Sequence, residues 1–248
     1  MAFEAELENI SFLRDRISVI SDLIDEAAIN IKKDGIAITA SDRAVVTVVD
    51  FMLSKDVFKN YSYEKDMRVG LNLTYLLQVL RRANPSDILK MRLEASALQL
   101  KLHGSSTRSF VIPLIDISRE DLPPIDKLNF SSSFLVDTDI LNSGIEDADI
   151  ITDSVVFSIN SEGVKMKAES DASSAELDMR PDGGLKNLKV DRPVRARYSL
   201  DYLKKIIKSR KLAEKASIEM DTDYPMRIRF DVPGKMQLGF ILAPRVEE

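Results

Sequence analysis

The sequence predicts an α+β fold: two similar domains of antiparallel sheets with two helices each. Two phrases that each occur twice carry this reading. A hairpin with a turn glycine, residues 28–42 around Gly35, returns as residues 155–171 around Gly163. Both alternate apolar and polar side chains, the period of a half-buried strand. The helix phrase Leu73-Thr74-Tyr75-Leu76-Leu77-Gln78-Val79-Leu80 is echoed by Leu200-Asp201-Tyr202-Leu203-Lys204-Lys205-Ile206-Ile207. The copies are offset by about 127 residues, far beyond a solenoid repeat, so each is a whole domain. A chain of 248 residues, 44% of them hydrophobic, can bury two cores of roughly 120 residues each.

Taken in order, Phe3 to Glu8 reads as a strand. Ile10, Leu13, Ile17, Ile20 and Ile24 then recur at helical spacing behind a capping Asn9. Strands are expected at 26–33, 35–41, 45–53 and 66–71, and a helix from Leu73 to Arg82 that Pro85 stops. Strands over 87–93, 97–104 and 108–114 complete the domain. The second copy reads as strand 130–136, helix 139–149, hairpin 154–169, strands 174–180 and 193–198, helix 200–210 and three strands ending at Leu242. Between the copies, residues 116–129 hold Pro123, Pro124 and clustered charge, which prevent a regular element. The expected division is 1–115, a connector over 116–129, and 130–248.

Composition narrows the function. No apolar run approaches the roughly 20 residues of a membrane span, and no signal-peptide pattern opens the chain, so a soluble intracellular protein is expected. With no cysteine there is neither a disulfide framework nor thiolate chemistry. The net charge of −5 means that any nucleic-acid contact must come from a local basic face. The single histidine, His103, has no second imidazole to build a metal site or triad with, and reads as structural. No phosphate loop, dinucleotide fingerprint or nucleophile elbow occurs. Asp182-Gly183-Gly184 reads as a turn, and the pairs Glu120 with Asp121 and Asp147 with Asp149 as solvated charge. Neither a catalytic residue nor a cofactor or metal is expected.

The helices are more informative. Over 200–210 the apolar stripe is Leu203, Ile206 and Ile207, while Lys204, Lys208 and Lys211 recur on another face beside Lys205 and Arg210. The 73–82 helix shows Thr74, Gln78, Arg81 and Arg82, and the first helix adds Arg14, with Arg16 as a further candidate. Such a face is compatible with simple solvation. In an acidic chain it also fits a phosphate-facing surface, and the lack of interleaved aromatics favours duplex backbone over stacked single strands.

Several phrases, in order along the whole chain, resemble the proliferating cell nuclear antigen family of DNA sliding clamps. They are Phe3-Glu4-Ala5, Asp22-Leu23-Ile24-Asp25-Glu26-Ala27, Ser41-Asp42-Arg43-Ala44-Val45-Val46, Gly70-Leu71-Asn72-Leu73 and Leu242-Ala243-Pro244-Arg245-Val246-Glu247-Glu248. The short ending is similar to archaeal members. The resemblance implies the DNA clamp fold: a homotrimeric ring whose helices line a hole around double-stranded DNA, read without regard to sequence. It also implies a non-catalytic processivity factor for replication and repair, which tethers DNA polymerase, flap endonuclease, ligase and other motif-bearing clients and is opened by a clamp loader. Such a protein is cytoplasmic and nucleoid-associated, or nuclear in a nucleated cell, with no membrane partner. A subunit of a heterotrimeric or checkpoint-type clamp shares nearly all these residues. An enzyme on a duplicated β-rich fold is the alternative from another class.

On the clamp model Arg14, Gln78, Arg81, Lys204, Lys205, Lys208, Arg210 and Lys211 face DNA, Gln78 standing where relatives often have lysine. The 139–149 helix departs from the pattern with acids, so Glu146 and Asp147 are expected to pair with Arg82 and Arg108 of a neighbouring subunit. Phe110, Ala175 and Leu177 lie on the two edge strands that the family pairs between subunits. A client peptide with a glutamine and spaced aliphatic and aromatic anchors is expected in a groove walled by Val45, Val46, Val48, Leu122, Pro124, Ile125, Leu128, Pro225, Ile241, Ala243, Pro244 and Val246.

Overall fold

The computed structural model describes residues 3–118, 122 and 124–246. The chain divides into two compact units: Met1–Arg43, Val49–Asp121 and Val232–Leu238 form the first, and Ala44–Val48, Leu122–Asp231 and Gly239–Glu248 the second. The first copy of the repeat runs β1 (Phe3–Leu7), α1 (Ile10–Ser21), β2 (Glu26–Lys32), β3 (Gly35–Ser41), β4 (Thr47–Ser54), β5 (Asn60–Tyr63), β6 (Met67–Asn72), α2 (Leu73–Leu80), β7 (Ile88–Leu93), β8 (Ala97–His103) and β9 (Thr107–Pro113). The second runs β10 (Ser132–Asp137), α3 (Thr138–Ile151), β11 (Ser154–Asn160), β12 (Gly163–Glu169), β13 (Ser174–Met179), β14 (Leu185–Val190), β15 (Val194–Ser199), α4 (Leu200–Ile206), β16 (Lys215–Met220), β17 (Met226–Arg229) and β18 (Met236–Leu242).

The first copy's strands neighbour one another in the orders β5-β1-β7-β8-β9 and β4-β3-β2-β6. Adding nine to every label gives the second copy's orders, β14-β10-β16-β17-β18 and β13-β12-β11-β15. The doubled phrase in the sequence is thus a doubled topology, antiparallel throughout its paired strands.

The strands alternate as their sequence does. Phe3, Ala5 and Leu7 of β1 point inward, as do Val155, Phe157 and Ile159 of β11. The first unit's core also holds Ile17, Ile20, Phe51 and Leu71; the second's holds Tyr198, Phe230 and Phe240. Each buried Val, Leu, Ile or Phe among them contributes about 1.5–3 kcal/mol by leaving water. The inner helices begin alike in both copies, Leu73 N–H donating to Asp25 O at 2.8 Å and Leu200 N–H to Asp153 O at 2.9 Å. Asn9 and Asn72 cap α1 and α2 by accepting from Phe12 N (3.2 Å) and Tyr75 N (2.7 Å).

The hairpin glycines share one steric reason. Gly35 has φ +142° and a side chain there would meet Leu53 O of β4; Gly163 has φ +159° and would meet Met179 O of β13. In each copy the next strand's backbone passes where a Cβ would stand.

Four elements differ from expectation. β5 and β14 are strands that the pattern does not announce. One is four residues long, and the other is broken by Asn187 at φ +51° opposite a register shift between Ser133 and Leu135. Both occupy the same outer edge of the plan and bury little, β5 no residue and β14 only Leu185, so neither carries an apolar alternation. The 200–210 helix is α-helical only to Ile206 and continues as a 3-10 turn over Ile207–Lys211, while α2 stops at Leu80 rather than Arg82.

Candidate nucleic-acid interface and peptide groove

The tighter winding after Ile206 redistributes the second unit's cations. Ile207 and Ser209 turn into the core, and Lys205, Lys208 and Lys211, three apart, stand exposed with Arg210. Lys205 lies 5.7 Å over the ring of Tyr202. Lys204 is half-exposed: it donates to Asp149 of α3 at 2.8 Å, which raises its pKa, and lies 3.7 Å from Asp201. Arg210 donates to Asp139 at 3.0 Å. Asp139 opens α3 and Asp149 nears its end, so these two pairs set α3 and α4 antiparallel and neutralise part of the basic face. The sequence pattern marks Asp149 as plain solvated charge and gives Asp139 no role, because their partners lie 55 and 71 residues away and no local pattern announces them.

In the first unit Gln78 is exposed on α2 and Arg81 at its C-cap, and Arg81 donates to Ser18 Oγ of α1 at 3.3 Å. Arg14 pairs with the adjacent Asp15 at 2.9 Å. Arg16 does not belong to this face. It is 6% exposed, its guanidinium lies 3.5 Å over the Phe12 ring, and it donates to Phe12 O (2.9 Å) and Met236 Sδ (3.1 Å). Burial lowers its pKa to about 10, with the Asp15 charge opposing the shift.

The ends of the sheets carry the expected interface residues. β9 is the last strand of the five-stranded sheet and β13 the last of the four-stranded one. Phe110 is half-buried on the first, with Val111 exposed at 57%. Ala175 and Leu177 are half-buried on the second, beside α3, where Gly144 admits the Leu177 side chain closely. Glu146 and Asp147 are exposed on α3 next to Ile150, which is 81% exposed. Arg82 is exposed. The guanidinium of Arg108 is engaged within its own chain, donating to the buried Asp87 and to Arg82 O at 2.7 Å. His103 shares a hydrogen bond with Thr107 Oγ1 across the β8–β9 turn at 2.8 Å, a local strut.

The groove residues fall within the second unit. Segment 44–48 runs beside the chain's last strand, with Ala243 N–H donating to Val46 O at 2.9 Å and Thr47 Oγ1 to Ile241 O at 3.1 Å. Val45 is 58% exposed at φ +56°, a strained conformation for a β-branched residue. Val46, Leu122, Ile125, Leu128, Pro225, Ala243 and Pro244 are half-buried, and Pro124 and Val246 exposed. Val48, at 4%, is in the core and drops out of the wall; Ile241, at 9%, can serve only as floor. The tail is tied by Arg245 N–H to Arg197 O at 2.7 Å and by the Arg245–Asp153 ion pair at 2.6 Å. Pro123, and the acids Glu120 and Asp121, lie outside the described residues.

One residue here stands outside the groove set expected from sequence. Arg227 of β17 stands between Glu219 of β16 and Ile241 of β18 in a cross-strand row, and donates to the connector carbonyl of Ile125 at 2.7 Å. Its position between buried Met226 and Ile228 is the signal that could have placed it on the outer face.

Among the described residues no helix is long and apolar enough to cross a membrane. Residues 2–116 match the model of the proliferating cell nuclear antigen N-terminal domain and residues 125–245 that of its C-terminal domain. The chain is 30% identical over 250 residues to the DNA polymerase sliding clamp of Thermococcus gammatolerans and to that of Pyrococcus furiosus, with the whole of each chain covered. It is 32% identical over 244 residues to DNA polymerase sliding clamp 1 of Pyrobaculum aerophilum, covering 98% of this chain and 96% of that one. With both domain models matched in order along a twice-repeated fold, the chain belongs to the proliferating cell nuclear antigen family.

Proposed function

We propose that the chain is a DNA sliding clamp, a homotrimeric ring that encircles duplex DNA and tethers DNA polymerase and other replication and repair enzymes. The observation that carries this reading is the exposed cation row Lys205, Lys208 and Lys211 with Arg210, in a chain of net charge −5. Contacts of lysine and arginine with phosphate are blind to sequence and individually weak, which suits a protein that must move along its substrate. Retention then comes from topology, and the acidic remainder limits tight binding elsewhere.

The open edges β9 and β13 support head-to-tail association, Phe110 meeting Ala175 and Leu177 of the next copy. Glu146 and Asp147 pair across that boundary with Arg82, while Arg108 braces it from within its own chain. The groove beside the connector takes the client motif.

The test is polymerase synthesis on primed DNA with a clamp loader. Stimulation on circular DNA that is lost when the circle is linearised supports encirclement; equal stimulation on both refutes it. Light scattering on the purified chain decides between a homotrimer and a ring that needs other subunits.

A further inference from the structure

We propose that Arg227 is the positioning residue that holds the connector at the depth the client peptide needs. The inference rests on the groove reading given above and adds a determinant of its affinity. The connector's described element is a single 3-10 turn, Ile125–Lys127, with no buried residue and no side-chain cap at Pro124. Its internal bonds, Lys127 N–H to Pro124 O at 2.9 Å and Leu128 N–H to Ile125 O at 3.4 Å, shape the turn but do not fix it to the sheet. A short turn whose one apolar residue, Ile125, is only half-buried has little to hold it in place.

Arg227 supplies an attachment. Its Nη2 donates to Ile125 O at 2.7 Å, its Nη1 lies 3.0 Å from Glu219 Oε2, and its Cζ stands 4.8 Å from the centroid of the Phe130 ring. These contacts orient the planar guanidinium from the sheet, from the connector and from one face. The side chain is only 15% exposed, so the pair with Glu219 is sheltered from solvent. In the cross-strand register Arg227 sits opposite Ile241, the groove floor, on the same sheet face. The residue that anchors Ile125 therefore adjoins the surface over which Leu122 and Ile125 form a wall. Releasing it lowers the fraction of molecules whose groove is formed, and apparent affinity falls by that fraction.

The test uses the full chain and a synthetic peptide with a glutamine and spaced aliphatic and aromatic anchors. Arg227→Met is expected to weaken binding about tenfold and to speed tryptic cleavage after Lys127, with native mass unchanged. Glu219→Gln is expected to give a smaller loss in the same direction, and the double variant no more than Arg227→Met alone, since both act through one contact. Arg227→Gln, which keeps a donor for the Ile125 carbonyl, recovers part of the affinity, as a general loss of folding would not. Wild-type binding by Arg227→Met, or independent addition of the two losses, overturns the proposal. If Leu122→Ala with Ile125→Ala abolishes binding while Arg227→Met does not, the groove stands and the positioning role falls. If that double alanine variant binds normally, the groove reading itself is wrong.

Discussion

Lys204 and Asp149 stand 2.8 Å apart, joining the lysine-bearing α4 to the acidic α3 within one unit. With the Arg210–Asp139 pair at 3.0 Å, this contact makes part of the basic surface self-neutralised. On the clamp reading proposed above, such pairing would lower intrinsic affinity for phosphate and favour movement along a duplex.

Asp139→Asn with Asp149→Asn should therefore tighten binding to short duplex DNA. The slope of log affinity against log salt should steepen by up to about 0.9 for each cation released. Fluorescence anisotropy across a salt series measures both. An unchanged slope would show that Lys204 and Arg210 do not approach phosphate.

Gly35→Ala and Gly163→Ala should each destabilise their unit by roughly 2–3 kcal/mol. The added methyl meets the backbone oxygen of Leu53 or Met179, which cannot turn aside as a side chain can. Gly234→Ala is the control. Its φ is +72° with nothing within 4 Å of the added carbon, so only the conformational cost of about 1 kcal/mol applies. Urea unfolding ranks the three, and equal losses would contradict the steric account.

Val45→Asn should raise thermal stability, by about 1 kcal/mol, because asparagine tolerates the left-handed conformation that valine resists. Little burial is lost, since Val45 is 58% exposed. Client-peptide affinity should fall if the exposed isopropyl group belongs to the groove; calorimetry with the peptide reads that separately from melting.

Glu146→Lys with Asp147→Lys should shift the chain toward monomer in light scattering, and Arg82→Glu in the same chain should partly restore assembly. Exposed pairs are worth about 0–1 kcal/mol each, so the shift is best seen near the association midpoint. Wild-type assembly by the double lysine variant would remove these acids from the interface.

The Arg245–Asp153 contact sets a pH dependence for the tail. The hydrogen bond from Arg245, opposed by burial, holds Asp153 below its ordinary value of 3.8. A carboxylate with a depressed folded pKa contributes stability that is present above 3.8 and lost as pH falls through the lower folded value. The Val246 methyl resonances should be constant from pH 7 to about 5 and move only below the ordinary aspartate range. Movement near neutrality would assign the tail to another group.

How far the chain could be read depended on the range of the signal. Asn9 and Asn72 announce their helices because a cap acts three residues away. The hairpin glycines and the inward rows of β1 and β11 are equally local. β5 and β14 escaped because they bury almost nothing, so pairing with β1 and β10 rather than their own alternation specifies them. The 3-10 ending after Ile206 escaped because burial of Ile207 and Ser209 overrides a lysine spacing that fits an α-helix.

The candidate site divides in the same way. Sequence by itself determined that the fold is built twice, that lysines crowd the last helix and that an apolar, proline-broken connector follows the first copy; resemblance then supplied the family. Only tertiary structure decided which charges are engaged: Arg16 sealed over Phe12, Arg108 held by Asp87, Lys204 and Arg210 by α3, and Arg227 by Ile125 O and Glu219. Backbone pattern is set by neighbours a few residues away. The state of a charge depends on whatever the fold brings within about 4 Å, at any distance along the chain.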